Sequence, residues 1–216
     1  VILTARPYGK FIVFDGIDGT GKTTQLKRLA RRLERQGRPV VTVRDPGGTQ
    51  IGQRLRSILL DRPTGPDAPD MDPRCELFLL LASRAQTVSE IVRPALAEGK
   101  IVLSDRYVSA TLAYQGFGGG LDLDTLRRML DFAVDGLRPD VTLLFDMDLP
   151  KARARLAGSG RPADRIESRG EAYFERVAEG FRALAKADPR AFHLIDADGD
   201  RDEVADDVWS AVEPLL

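Results

Sequence analysis

Phe11-Ile12-Val13-Phe14-Asp15-Gly16-Ile17-Asp18-Gly19-Thr20-Gly21-Lys22-Thr23-Thr24 is the stretch on which the reading of this chain turns. Its first four residues are a short apolar run, suited to a strand buried on both faces. The run stops at Asp15-Gly16, and Gly16–Thr23 fits G-x-x-x-x-G-K-T. From Thr24 to Gln36, Leu26, Leu29, Ala30 and Leu33 recur at helical spacing until Gly37 ends the pattern. Strand, Gly-rich turn and helix, in that order, are the context in which the motif cradles phosphate. Glycines let backbone N–H groups converge on phosphate oxygens, and the helix N-terminus adds its positive end. Gly16, Gly19, Thr20, Gly21, Lys22, Thr23 and Thr24 are therefore the expected triphosphate-binding residues. Lys22 should reach the β- and γ-phosphates, and the Thr23 hydroxyl should hold Mg²⁺.

Working outward, the same alternation repeats. Apolar strands are expected at Val40–Val43, Ile101–Leu103, Val141–Phe145 and Phe192–Ile195. Helical spacing marks Ile51–Leu60, Glu76–Leu96, Leu123–Asp135, Glu171–Ala187 and Asp202–Leu215, with Pro94 expected to break or kink the second of these. A further helix begins at Val108–Gln115 and is interrupted by Gly116–Gly120. Asp61–Pro73 reads as a surface loop, and Gly158–Gly170 as a flexible, Arg-rich excursion. The pattern predicts an α/β doubly wound parallel sheet of about five strands, with helices on both faces. At 216 residues the chain is expected to be one domain. Residues 1–9 read as an extension ahead of the first strand.

Composition excludes several function classes. The 32 basic and 33 acidic residues leave a formal net charge of -1. That gives no global pull toward nucleic acid or an anionic membrane. Cys75 is the sole cysteine and His193 the sole histidine, so neither an intrachain disulfide nor a His-rich metal site is expected. No Ser/His/Asp or Cys/His nucleophilic arrangement can be drawn, so the chemistry must rest on electrostatic positioning. A reducing, cytoplasmic setting is expected, and the apolar runs are too short to span a bilayer.

In an open sheet, ligands sit beyond the carboxyl ends of the strands. Asp15, Arg44-Asp45, Asp105-Arg106 and Asp146 all follow apolar runs directly. Asp105 is a candidate partner for hydrated Mg²⁺ or for the Thr23 hydroxyl, and Arg106 for a phosphoryl group on an acceptor. Asp18, inside the phosphate loop, must point away from polyanionic phosphates, toward a second substrate. Arg84 interrupts the apolar stretch Leu79–Val88 and needs a partner if buried. Arg153, Arg155, Arg161, Arg165 and Arg169 surround Gly158, Gly160 and Pro162, a composition suited to a closing lid that brings positive charge to a moving phosphoryl group.

Four motifs in order carry a resemblance to the bacterial thymidylate kinases, from about Lys10 to the C-terminal helix. Gly16–Thr24 is similar to that family's phosphate loop. Arg44-Asp45-Pro46-Gly47-Gly48-Thr49 resembles its second signature, with Asp45 where the family usually has Glu. Asp105-Arg106-Tyr107, followed by Ala113-Tyr114-Gln115-Gly116, resembles its third, and Asp164-Arg165-Ile166-Glu167 its lid signature. The resemblance implies transfer of the γ-phosphoryl of ATP to dTMP with Mg²⁺, by a homodimer. It implies Asp18 at the deoxyribose 3′-hydroxyl, Arg44 and Arg106 at the acceptor phosphate, and Arg84 at the thymine edge. Tyr114 should crowd the 2′ position, and Thr111 and Gln115 should line the base pocket. Thr23 and Asp105, from the motif and the strand end, are the expected residues for that Mg²⁺. Gly19 stands where the eukaryotic-like branch carries arginine, so the catalytic arginines should come from the lid. Arg155 and Arg165 are chosen from the pool, beside Lys22, Arg106 and Asp105. The family usually has an aromatic residue four positions before the base-reading arginine; here that position is Leu80. Phe78 should face elsewhere, since i and i+2 do not share a helix face, and is expected to be core.

Two other readings stay open at this point. One is a different nucleoside monophosphate kinase or a deoxynucleoside kinase. The other is a regulatory NTP-binding module, although no N-K-x-D guanine-reading pattern is found.

Overall fold

The computed structural model describes residues 9–61, 70–158, 160 and 162–216. Five parallel strands form one sheet: β1 (Phe11–Asp15), β2 (Val40–Arg44), β3 (Ile101–Asp105), β4 (Val141–Asp146) and β5 (Phe192–Asp196), in the order β2-β3-β1-β4-β5. Parallel neighbours need crossover connections, and helices supply them on both faces. The expected α/β doubly wound sheet is therefore the observed one.

The strand at the centre shows why. In β1 successive side chains point to opposite faces. Phe11 and Val13 enter one apolar cluster with Val43, Val88, Leu96 and Val102. Ile12 and Phe14 enter another with Leu26, Leu33, Leu143 and Phe145. A strand buried on both sides can be apolar throughout, as Phe11–Phe14 is. The edge strands β2 and β5 are partly exposed, and they are the ones carrying Thr42, Arg44 and His193.

The helices are α1 (Lys22–Arg35), α2 (Gln50–Leu60), α3 (Pro73–Thr87), α4 (Arg93–Ala97), α5 (Val108–Thr111), α6 (Leu123–Val134), α7 (Leu149–Ala157), α8 (Glu171–Ala187) and α9 (Arg201–Val212). Several bounds differ from expectation for identifiable reasons. The helix expected at Glu76 starts at Pro73, because Asp72 caps it: its carboxylate accepts from the Arg74 N–H at 2.8 Å, and Pro73 fills a first-turn position where no N–H is needed. The same helical run widens into a π turn at Val88–Val92 before α4. Pro94 cannot donate to the carbonyl four residues back, and the wider turn accommodates it without a break. Leu112–Gly118 is likewise π-helical, so Gly116 continues the element instead of interrupting it.

The Arg-rich excursion is corrected at its start. Arg153 and Arg155 lie on α7, an ordered helix seated by the buried Ala152, with Leu149 packed on the core. Arg161 lies outside the described residues, as do residues 1–8 and 62–69. Phe78 is also corrected: it is 58% exposed on α3 and is not core.

Candidate active site

The phosphate loop joins β1 to α1, and its glycines are required by close approach. A Cβ on Gly16 would fall 2.4 Å from the Phe145 carbonyl oxygen, and one on Gly19 would fall 2.0 Å from that of Ala152. Both glycines, and Gly21, have positive φ. Lys22 folds into the loop, where its Nζ donates to the Ile17 carbonyl at 2.6 Å. Burial pulls its pKa down to about 8, with Arg106 acting in the same direction against Asp18, Asp105 and Asp15. The Thr23 hydroxyl donates to Asp105 at the end of β3, at 2.6 Å. Strand pairing sets this meeting, since Phe14 of β1 is in register with Asp105.

Beyond the loop, Asp18 turns away from the phosphate side. Arg106 donates to it through Nη2 at 2.7 Å, and the Tyr114 hydroxyl donates at 3.1 Å. Burial alone would raise the pKa of Asp18, but Arg106 and Lys22, with these hydrogen bonds, hold it well below the usual carboxylate range. Arg106 also donates to the Gly16 carbonyl at 3.0 Å and lies 3.5 Å from Asp15. Asp15 is fully buried; burial raises its pKa despite Arg106 and a hydrogen bond from Ser109 at 2.6 Å. Arg106 has φ 74°, a left-handed conformation that is strained for a residue with a Cβ. Its N–H is fixed to the Phe14 carbonyl at 2.9 Å, so the sheet holds the strained turn and aims the guanidinium across the loop.

These groups form one end of a cavity of about 480 Å³. The residues expected there are all on its lining: Asp18, Arg44, Leu80, Arg84, Arg106, Thr111, Tyr114 and Gln115. Leu80 faces inward with Arg84, one helical turn apart, so the register of α3 is the one the spacing implies. Arg84 is almost fully buried and pairs with Asp45, whose own pKa is raised by burial even beside that charge. One Asp45 oxygen and one Arg84 nitrogen, Nη1, are buried without a hydrogen-bond partner. A buried donor and acceptor left open at a cavity wall are suited to a flat, polar ligand edge. Asp45 thus supplies a carboxylate where the family signature has Glu.

Sequence reasoning missed part of the wall. Arg56 lines the cavity, donates to the Pro46 carbonyl at 3.1 Å, and lies across Gly47, where a Cβ would meet its side chain at 3.0 Å. The glycines of Pro46-Gly47-Gly48 were the available signal. A second cleft flanks the loop on its other side, lined by Gln25, Arg155, Ala197, Gly199 and Arg201. Nothing in the spacing of Ala197–Arg201 announces this; only the parallel placement of β5 brings it there.

The lid arginines separate. Arg155 borders this second cleft and donates to the Ala197 carbonyl at 3.0 Å. Arg165 does not face the cavity. It is buried, with Nη2 2.5 Å from Glu76 and Nε donating to the Leu59 carbonyl at 2.9 Å.

The donor set suits a hard cation in one specific way. Among the described residues no group of three His, Cys, Asp or Glu side chains could hold a metal ion. Thr23 and Asp105 instead offer a hydroxyl and a carboxylate side by side, the sparse oxygen set with which Mg²⁺ is held jointly by protein, phosphates and water.

A family profile described as thymidylate kinase matches residues 14–208. The chain belongs to the thymidylate kinase family. It is 46% identical over 208 residues to a thymidylate kinase of Pelotomaculum thermopropionicum, covering 96% of this chain and 94% of that one. It is 45% identical over 212 residues to a thymidylate kinase of Solidesulfovibrio magneticus, covering 95% and 100%. An Exiguobacterium thymidylate kinase is 46% identical over 200 residues, covering 93% and 92%. The profile match runs from the end of β1 into α9.

Proposed function

We propose that this protein transfers the γ-phosphoryl group of ATP to dTMP, giving dTDP and ADP. The observation that carries the reading is the cavity beyond the phosphate loop, with the open Nη1 of buried Arg84 in its wall and the Asp18–Arg106–Tyr114 cluster at one end. Family membership supports it independently.

Gly16, Gly19, Thr20, Gly21, Lys22, Thr23 and Thr24 take the triphosphate of ATP, whose nucleoside end occupies the cleft bordered by Arg155 and Arg201. Thr23 and Asp105 would hold Mg²⁺, which when bound would neutralise phosphate charge. Arg84 donates to a thymine carbonyl, and Leu80, Thr111 and Gln115 enclose the base. Asp18 accepts from the 3′-hydroxyl, and Tyr114 fills the space a 2′-hydroxyl needs. Arg44 and Arg106 grip the acceptor phosphate, so that its oxygen attacks the γ-phosphorus while the bond to the β-phosphate oxygen breaks. The loop and these arginines hold the two substrates in line, which is most of what phosphoryl transfer asks of a protein. Lys22 follows the charge on the transferring group, and Arg155 reaches it only by leaving the Ala197 carbonyl as α7 closes over bound ATP. Arg165 serves the same lid from its buried pair with Glu76.

Exposed apolar side chains on three packed helices support a homodimer: Ile51 and Ile58 on α2, Phe78 on α3 and Phe132 on α6. A reducing, cytoplasmic setting accords with a lone cysteine, and among the described residues no helix is long and apolar enough to cross a membrane.

Phosphoryl transfer from ATP to dTMP, dUMP, dCMP and thymidine, measured side by side, tests the reading. The expected order puts dTMP first and thymidine last. Phosphorylation of thymidine with none of dTMP would overturn it, as would ATP hydrolysis without acceptor that outruns transfer.

A further inference from the structure

Glu76 is a buried carboxylate that enters the reading above only as the partner of Arg165. It sits on the first turn of α3, 1% exposed, and binds three side chains at once. One oxygen accepts from the Gln115 side-chain amide at 2.8 Å. The other accepts from Arg165 at 2.5 Å and from Arg169 at 2.7 Å. Arg169 also donates to the Tyr173 hydroxyl at 2.7 Å, which in turn donates to the Tyr114 carbonyl at 2.9 Å. The cluster therefore closes on the π-helical turn that carries both Tyr114 and Gln115.

An ionised carboxylate accepts hydrogen bonds and donates none. Gln115 must turn its NH₂ toward Glu76, which leaves the amide oxygen as the end available to the cavity it lines. An amide oxygen accepts from the ring N3–H of thymine or uracil. Cytosine has an unprotonated N3 and offers it no proton. The same carboxylate anchors Arg165 and Arg169 on one side of a turn whose other side chains, Asp164, Ile166 and Glu167, line the acceptor cavity.

We propose that Glu76 is a positioning residue for base selection: it fixes which end of the Gln115 amide meets the acceptor base, and it pins the Asp164–Glu167 wall across the same cavity. This rests on the dTMP reading above. A side chain that can both donate and accept at position 76 releases the amide to rotate, and the preference for an N3–H base weakens.

The test compares kcat/KM for dTMP and dCMP in the wild type, Glu76→Gln, Gln115→Ala and the double variant. Glu76→Gln is expected to lower the dTMP/dCMP ratio by about 10-fold or more, the scale of one mispaired hydrogen bond in a recognition site. The KM for ATP should stay within about twofold, since Glu76 touches nothing on the donor side. In the Gln115→Ala background, Glu76→Gln should leave the ratio unchanged. A fall in melting temperature with an unchanged base ratio overturns the proposal, and so does an effect that multiplies with Gln115→Ala. Should Glu76→Gln fail to fold, Arg169→Gln, at a half-buried position, loosens the same carboxylate. It is expected to raise the KM for dTMP by about threefold with that for ATP unchanged; no change in either overturns the anchoring. If the wild type itself transfers to no pyrimidine monophosphate, the dTMP reading has failed instead, and the two failures are distinct.

Discussion

At the scale of single residues, the site works by setting charge against burial. Lys22 is the sharpest case. In the free protein its ammonium titrates near pH 8, depressed chiefly by burial. A bound triphosphate restores the charge, because phosphate oxygens replace lost solvation. ATP binding at pH 8 should therefore draw a fraction of a proton onto Lys22 from buffer, and almost none at pH 6.5, where Lys22 is already protonated. Calorimetry at pH 8 in buffers of different ionisation enthalpy reads that uptake, and Lys22→Arg should abolish it. Asp18 is the counter-case: against the burial that would raise it, Arg106 and Lys22, with a hydrogen bond from Tyr114, hold its carboxyl well below the usual carboxylate range. Asp18→Asn should raise the KM for dTMP roughly 10-fold or more, as expected for one charge-assisted hydrogen bond, with little change for ATP. Equal losses for both substrates would mean that Asp18 only supports the loop. Arg165 sits differently from what the lid resemblance implies. The lid resemblance implies a catalytic arginine there, yet its guanidinium is held by Glu76, Asp70 and the Leu59 carbonyl. Arg165→Ala is expected to lower melting temperature and raise the acceptor KM; a pure loss of kcat would return it to the transferring group.

At the scale of elements, the acceptor cavity depends on a tight fit between α8 and the π turn Leu112–Gly118. Gly180 on α8 faces the Phe117 ring, where an added Cβ would come within 2.6 Å, and Gly118 faces Val177 and Tyr173 at 2.7 and 2.8 Å. Overpacking of this kind costs about 1–3 kcal/mol. Gly180→Ala should lose that much in urea unfolding and also raise the KM for dTMP, since Tyr114 and Gln115 ride on the displaced turn. This packing was not legible in the sequence. Gly116–Gly120 reads there as an interruption, because local spacing cannot reveal that a facing helix needs those residues small. What local spacing does carry is strong: Phe11–Lys22 specifies β1, the loop and the start of α1, and Glu171–Ala187 is one helix with the bounds its apolar residues imply. Asp15, Asp45 and Asp105 were legible too, because a charge directly after a buried strand has few places to go, but Asp146 pairs with Arg182 and does not reach the loop. Arg56 and the Ala197–Arg201 turn were not, since tertiary crossings alone bring them to the site.

At the scale of the whole molecule, the sheet order puts β1 between β3 and β4, so the phosphate loop receives groups from both halves of the chain. Asp105 and Arg106 arrive from one neighbour, and the α7 backbone from the other. Ile51, Ile58, Phe78 and Phe132 are exposed on α2, α3 and α6, while α2 and α3 turn other side chains, Arg56, Leu80 and Arg84, to the acceptor cavity. Sedimentation should find a dimer at micromolar concentration, and Phe78→Glu with Phe132→Glu should shift it to monomer. A monomeric wild type would remove the homodimer from the reading. Gly19 has a consequence of another kind. With α7 resting against it, a side chain there meets the Ala152 carbonyl before it meets substrate. Gly19→Arg, the residue of the eukaryotic-like branch, should therefore be inactive in this chain unless α7 has withdrawn first. A selection for revived Gly19→Arg clones should return second changes clustered around Ala152.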